Sequence, residues 1–152
     1  MLTGELKNKI DMIWEMFWTG GITNPLDVVE QMTYLMFIHD LDETDAKKAK
    51  SSMMLELPYT SMFEGHEQYK WSVFRDLPAE KMYELMQSEI FPFIKNLHGN
   101  KESTYSRYMS DAIFKIPTPQ LLSKIVDALD TLYIDMAKDI ENDTKGDVYE
   151  SL

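Results

Sequence analysis

The sequence predicts an all-α fold, and three observations carry that prediction. Apolar residues recur at helical spacing along successive segments. Asn24-Pro25 and Thr118-Pro119 are cap-plus-proline pairs of the kind that open helices. No stretch alternates apolar and polar residues as a half-buried strand would. Together they predict a single compact domain of about five to seven helices with one long irregular, aromatic-containing segment.

Taken in order, Leu6, Ile10, Ile13, Trp14 and Phe17 form the stripe of a first helix, which Gly20-Gly21 should end. The second opens with Asn24 as cap, Pro25 in its first turn and Asp27 at the positive helix end. Val28, Val29, Met32, Leu35, Met36, Phe37, Ile38 and Leu41 make it apolar nearly all round, which predicts a place at the centre of the domain. After Leu41 the pattern changes, and Thr44 is expected to cap a separate short charged helix from Asp45 to about Met54. From Leu55 to Leu77 no period persists, but Tyr59, Phe63, Tyr69, Trp71 and Phe74 should anchor the segment to the core.

A further helix carries Met82, Met86, Ile90, Phe93, Ile94 and Leu97, and Pro92 should kink or end it. His98-Gly99-Asn100 reads as a turn, and a shorter helix is expected around Ser106–Phe114, before Pro117. Behind Thr118-Pro119 the next stripe is Leu122, Ile125, Leu129, Leu132, Tyr133 and Met136. The acidic stretch from Asp135 to Asp147 is expected to break at Gly146. Trp14, Met32, Met36, Ile90 and Leu129 should be buried on facing stripes.

Composition narrows the function. The chain has 152 residues, no cysteine and a formal charge of −11. The missing thiols exclude disulfides, a thiolate zinc site and a cysteine nucleophile. The acidic balance opposes autonomous nucleic-acid binding. No apolar run approaches the roughly 18–20 residues of a membrane span, and no secretory signal opens the chain. A soluble, cytoplasmic protein is the expectation.

Catalytic signatures are missing from the sequence: no dinucleotide-binding glycine turn, phosphate loop, nucleophile elbow or zincin pair occurs. His66-Glu67 begins like a zincin but lacks the second histidine. His39, His66 and His98 stand far apart, and each reads as an ordinary core or surface histidine. Asp40, Asp42 and Asp45 lack the glycine and the closing acid of a calcium loop. Asn24-Pro25-Leu26 lacks the second proline and the aromatic of an amino-methyltransferase motif; helix capping accounts for it. No catalytic, cofactor-binding or metal-binding residue is therefore assigned. The one local basic excess is Lys95, Lys101, Arg107 and Lys115, accompanied by Tyr105 and Tyr108, which could touch a DNA backbone. A solvated surface is the competing reading of those residues. From Asp127 onward, by contrast, the acids face only Lys138 and Lys145.

The closing segment, Gly146-Asp147-Val148-Tyr149-Glu150-Ser151-Leu152, resembles the stretch that leads into the catalytic domain of type I restriction–modification modification subunits. Ser151 departs from the aromatic often found there. The Leu6–Trp14 helix, the Asp27–Leu41 helix with Tyr34-Leu35-Met36-Phe37-Ile38, Trp71-Ser72-Val73-Phe74, Asp111-Ala112-Ile113-Phe114 and the Leu121–Leu132 helix follow in the family's order. The resemblance covers nearly the whole chain. It implies a helical N-terminal domain over 1–142 and the start of a linker helix over 143–152, ahead of a methyltransferase domain that this sequence does not contain.

It also implies a parent enzyme that transfers methyl from S-adenosylmethionine to the adenine amino group, with this domain serving assembly and DNA clamping. The implied partners are a specificity subunit, a second modification subunit, a restriction subunit and, in the assembled enzyme, DNA. Both the cofactor turn and the Asn-Pro-Pro-aromatic motif are absent, so no cofactor is implied for this chain alone. A free-standing helical interaction module without enzyme activity is the alternative.

Overall fold

A computed structural model describes residues 4–97, 109 and 111–151, with side chains as far as Lys138. Helix α1 spans Gly4–Thr19 and α2 spans Pro25–Met54. A single 3-10 turn at Glu67–Tyr69 precedes the short α3, Trp71–Phe74. Next come α4 (Ala79–Leu85), a π turn (Met86–Ile90) and α5 (Phe91–Lys95). The long α6 runs from Pro119 to Ser151. No strand occurs among the described residues, and no described helix is long and apolar enough to cross a membrane.

The helix starts form as their sequences dictate. Asn24 accepts a hydrogen bond from the Leu26 N–H at 2.9 Å, with Pro25 opening α2. The Thr118 hydroxyl accepts from the Leu121 N–H at 3.1 Å, capping α6. α1 ends where Gly21 adopts φ +106°, a conformation that favours glycine, and the Ile22 N–H closes back onto the Phe17 carbonyl at 2.9 Å.

Pro92 sits directly behind the π turn. It has no N–H to donate and its ring crowds the carbonyl four residues back. The helix meets this by opening one turn, in which the Phe91 N–H reaches Met86 O, five residues away. The helix thus does not end at the proline but continues to Lys95.

The core lies around α6, which packs against α1 and α4. Leu122, Ile125, Val126 and Leu129 of α6 are completely buried, against Ile13 and Phe17 of α1 and Met82, Met86 and Ile90 of the α4–π segment. Lys9 pairs with Asp135 across the α1–α6 seam. Of the loop aromatics expected to anchor it, Phe63, Tyr69, Trp71 and Phe74 are buried, whereas the Tyr59 ring is exposed and is tied only through its hydroxyl to Asp45.

Several expectations are corrected. No break follows Leu41: α2 is continuous to Met54, and Thr44 lies within it instead of capping a new helix. Nor is α2 the apolar centre. It buries one face, through Val28, Gln31, Tyr34, Leu35, Ile38 and Asp45, while Val29 and Met36 are 47% and 39% exposed. Met36 is thus a surface residue, and Trp14 and Met32 are half-buried against the core that Ile90 and Leu129 enter fully.

Residues 112–118 are not helical. The Gln31 side chain, 1% exposed, donates to Ile113 O and accepts from the Lys115 N–H, both at 2.9 Å. It thereby satisfies backbone groups that a helix would have paired internally. The rest of the expected Ser106–Phe114 helix, apart from Met109 and Asp111, and the His98-Gly99-Asn100 turn lie outside the described residues. At the C-terminal end, α6 runs through Gly146 without a break.

Candidate nucleic-acid contact and an acidic aromatic cleft

Two of the four basic residues of the expected DNA contact are described, and both have partners in the fold. Lys95 donates to the Ala112 carbonyl at 3.0 Å, with its ammonium 5.8 Å from the Phe91 ring centre. Lys115 donates to Asp27 at 2.9 Å, and that carboxylate raises the lysine's pKa. Both cations therefore fasten the extended segment beside α2. Lys101 and Arg107 lie outside the described residues, as do Tyr105 and Tyr108.

Asp40, Asp42 and Asp45 share α2 but do not converge. Asp42 accepts the Ser72 N–H at 2.9 Å. Asp45 is buried and accepts from the Tyr59 hydroxyl at 2.5 Å, the Ser61 hydroxyl at 2.7 Å and the Met62 N–H at 3.3 Å. Burial pushes its carboxyl up, yet these hydrogen bonds prevail and hold it below the ordinary value of 3.8. It is a clamp for the loop behind α2. His66 stacks on Tyr69, with ring centres 4.9 Å apart, and Glu67 turns back to accept the Gly65 N–H. His98 is outside the described residues.

The side chains that do converge lie between the middle of α2, α3 and α6, around a cleft of about 590 Å³. His39 stacks flat on Tyr133, with ring centres 3.5 Å apart, and meets the Trp71 ring edge-on at 5.7 Å. The Trp71 indole N–H donates to Asp130 at 2.9 Å, and Arg75 donates to the same carboxylate at 3.1 Å. Asp130 is thereby held by two donors. Asp42 and Glu43 line the α2 side, and Ala46, Ile134, Met136 and Ala137 supply apolar wall.

The Tyr133 hydroxyl is shielded from solvent and has no hydrogen-bond partner among the described residues. Burial, with the charges of Asp40 and Glu43, raises its pKa strongly. His39, Asp40 and Glu43 offer ligand atoms within 4.8 Å of one another and could hold a divalent cation, although both acids are exposed.

Sequence reading named Trp71 as a loop anchor and Tyr133 as part of a helical stripe. It missed Arg75 and Asp130 altogether. The only local signal is the four-residue spacing of Trp71 and Arg75, which puts both on one helical face; their shared partner is 55 residues or more away.

The family model of the HsdM N-terminal domain matches residues 6–129. No curated protein and no solved structure matches the chain.

Proposed function

The chain belongs to the HsdM N-terminal domain family, that of type I restriction–modification modification subunits, and from that premise we propose that it serves as the assembly and DNA-clamping domain of a DNA adenine methyltransferase. The observation that carries this reading is the span of the match, from the first turn of α1 to Leu129 in α6. It takes in every described buried apolar residue of the core except Leu132. In the proposed parent enzyme, S-adenosylmethionine supplies the methyl group for the adenine amino nitrogen. The sequence here holds neither the glycine turn for that cofactor nor the Asn-Pro-Pro-aromatic motif, so no step of methyl transfer is assigned to its residues.

The role of the domain is therefore one of surfaces. Its net charge of −11 favours contact with basic protein faces over direct contact with phosphates. In this proposal the specificity subunit and a second modification subunit are the protein partners. Lys95, Lys101, Arg107 and Lys115 are the residues through which DNA would be touched, in the cytoplasm, once assembly brings the domain alongside the duplex.

Reconstitution tests the reading. The full-length modification subunit carrying this domain, and a form lacking residues 1–142, are each combined with the specificity subunit. Methyl transfer from labelled S-adenosylmethionine and DNA affinity are then measured. The intact subunit should methylate adenine; the truncated form should lose DNA affinity by tenfold or more, about 1.4 kcal/mol. Equal affinity and equal methylation in the two forms would overturn the proposal.

A further inference from the structure

The cleft between α2, α3 and α6 has a composition that none of its internal bonds explains. Asp130 accepts from Trp71 and Arg75, but among the described residues the acids across from it face no cation of comparable engagement. Asp42 has a backbone N–H for company. Among the described residues Glu43 meets the exposed Lys47, one turn along the same helix at 3.1 Å, and the His39 Nδ1, one turn back at 3.8 Å; same-helix pairs of this kind contribute little.

Below these acids lies apolar wall. Ile134 is 47% exposed although it sits on an ordered stretch of α6, and Ala46, Met136 and Ala137 line the cleft beside it. The Tyr133 ring stacks on His39, and its solvent-shielded hydroxyl lacks a partner among the described residues. An aliphatic surface that leads to carboxylates matches a long side chain ending in a cation. Lysine and arginine bury their stems on apolar surface and carry several donors at the tip.

We propose that this cleft is a docking site for a lysine or arginine side chain of a partner polypeptide. The stem lies on Ile134, Met136 and Ala46, and the cationic tip is held by Asp42 and Glu43 beside Tyr133. Charge complementarity selects this occupant. Nucleic acid would bring phosphates to a carboxylate-lined wall, and a purely apolar segment would leave those carboxylates desolvated without a partner.

The inference does not depend on the family reading, because its test uses the 152-residue chain alone. The Trp71 indole N–H resonance is followed by nuclear magnetic resonance while a capped alanine peptide bearing adjacent lysine and arginine is added. The control peptide carries acetyl-lysine and citrulline in their place. Saturable movement of the Trp71 signal with the basic peptide, and none with the neutral one, is expected.

Asp42→Asn with Glu43→Gln should weaken binding about tenfold or more, since bonds to charged groups are removed. Glu80→Gln with Glu84→Gln, which removes the same charge from exposed positions of α4, should leave it within about twofold. Asparagine retains an oxygen for the Ser72 N–H. Should the double variant nevertheless fail to fold, Glu43→Gln alone, at an exposed position, carries the test with a loss of about threefold or more. No saturable shift at millimolar peptide, or equal losses in the two charge-matched variants, would overturn the proposal.

Discussion

Asp45 shows how a single buried group organises a segment that has no periodicity of its own. It is 3% exposed and gathers Tyr59, Ser61 and the Met62 N–H onto the side of α2. Removing it leaves those donors without their acceptor. Asp45→Ala should cost about 1–3 kcal/mol at neutral pH, read from chemical denaturation. Acid dependence follows from the same bonds. The folded carboxyl is held below its ordinary value of 3.8, so the unfolded chain binds the proton more readily. The contribution is complete above that ordinary value and is lost as pH falls through the lowered one. Asp45→Asn should therefore flatten the loss of stability below about pH 4. Denaturation midpoints from pH 7 to pH 3 that fall in parallel with those of the parent would refute the assignment.

At the scale of elements, α1 and α6 meet closely at the end of α1. A Cβ on Gly20 would lie 2.5 and 2.7 Å from the Leu121 methyls and 3.0 Å from the Met16 carbonyl. Leu121 is itself buried in the first turn of α6, and its methyls must shift, beside the cleft it lines with Gly20, to admit the new carbon. Gly20→Ala should cost about 1–3 kcal/mol through overpacking, seen as a lower thermal midpoint; an unchanged midpoint would mean that the α1–α6 seam yields. Capped and striped helices were legible because their signals are local: Asn24-Pro25, Thr118-Pro119 and the α6 stripe all act within a few residues. The break placed after Leu41 failed for the opposite reason. Acids along 40–45 read as a solvated boundary, whereas Asp42 and Asp45 bond to groups 14 to 30 residues further on. Gln31 was equally invisible, since its partners are backbone atoms 82 and 84 residues away. The acidic cleft belongs with these, its parts drawn from three helices that only the fold brings together.

The whole molecule combines an α6-centred core with a charge balance that governs what it can touch. Leu129 has no exposure, so Leu129→Ala should cost about 2–5 kcal/mol; a denaturation midpoint unchanged within error would refute that core. The same charge balance bears on DNA. At −11 the isolated chain should bind duplex weakly or not at all at physiological salt, because approach is opposed at long range. In the proposed assembly the four basic residues should not act alike. Lys95 and Lys115 already hold the Ala112 carbonyl and Asp27, so replacing them should lower stability before it alters DNA affinity. Lys101 and Arg107 therefore give the cleaner test of the proposed phosphate contact. Removing either cation from its phosphate should reduce the slope of log affinity against log salt by about 0.9. Lys101→Glu with Arg107→Glu should then weaken cognate and non-cognate duplexes to a similar degree, since backbone contacts carry no sequence information. Fluorescence anisotropy across a salt series, with assembly checked by sedimentation, measures both quantities. An unchanged slope and affinity in the intact assembly would return these residues to the solvated surface and leave protein contact as the domain's proposed role.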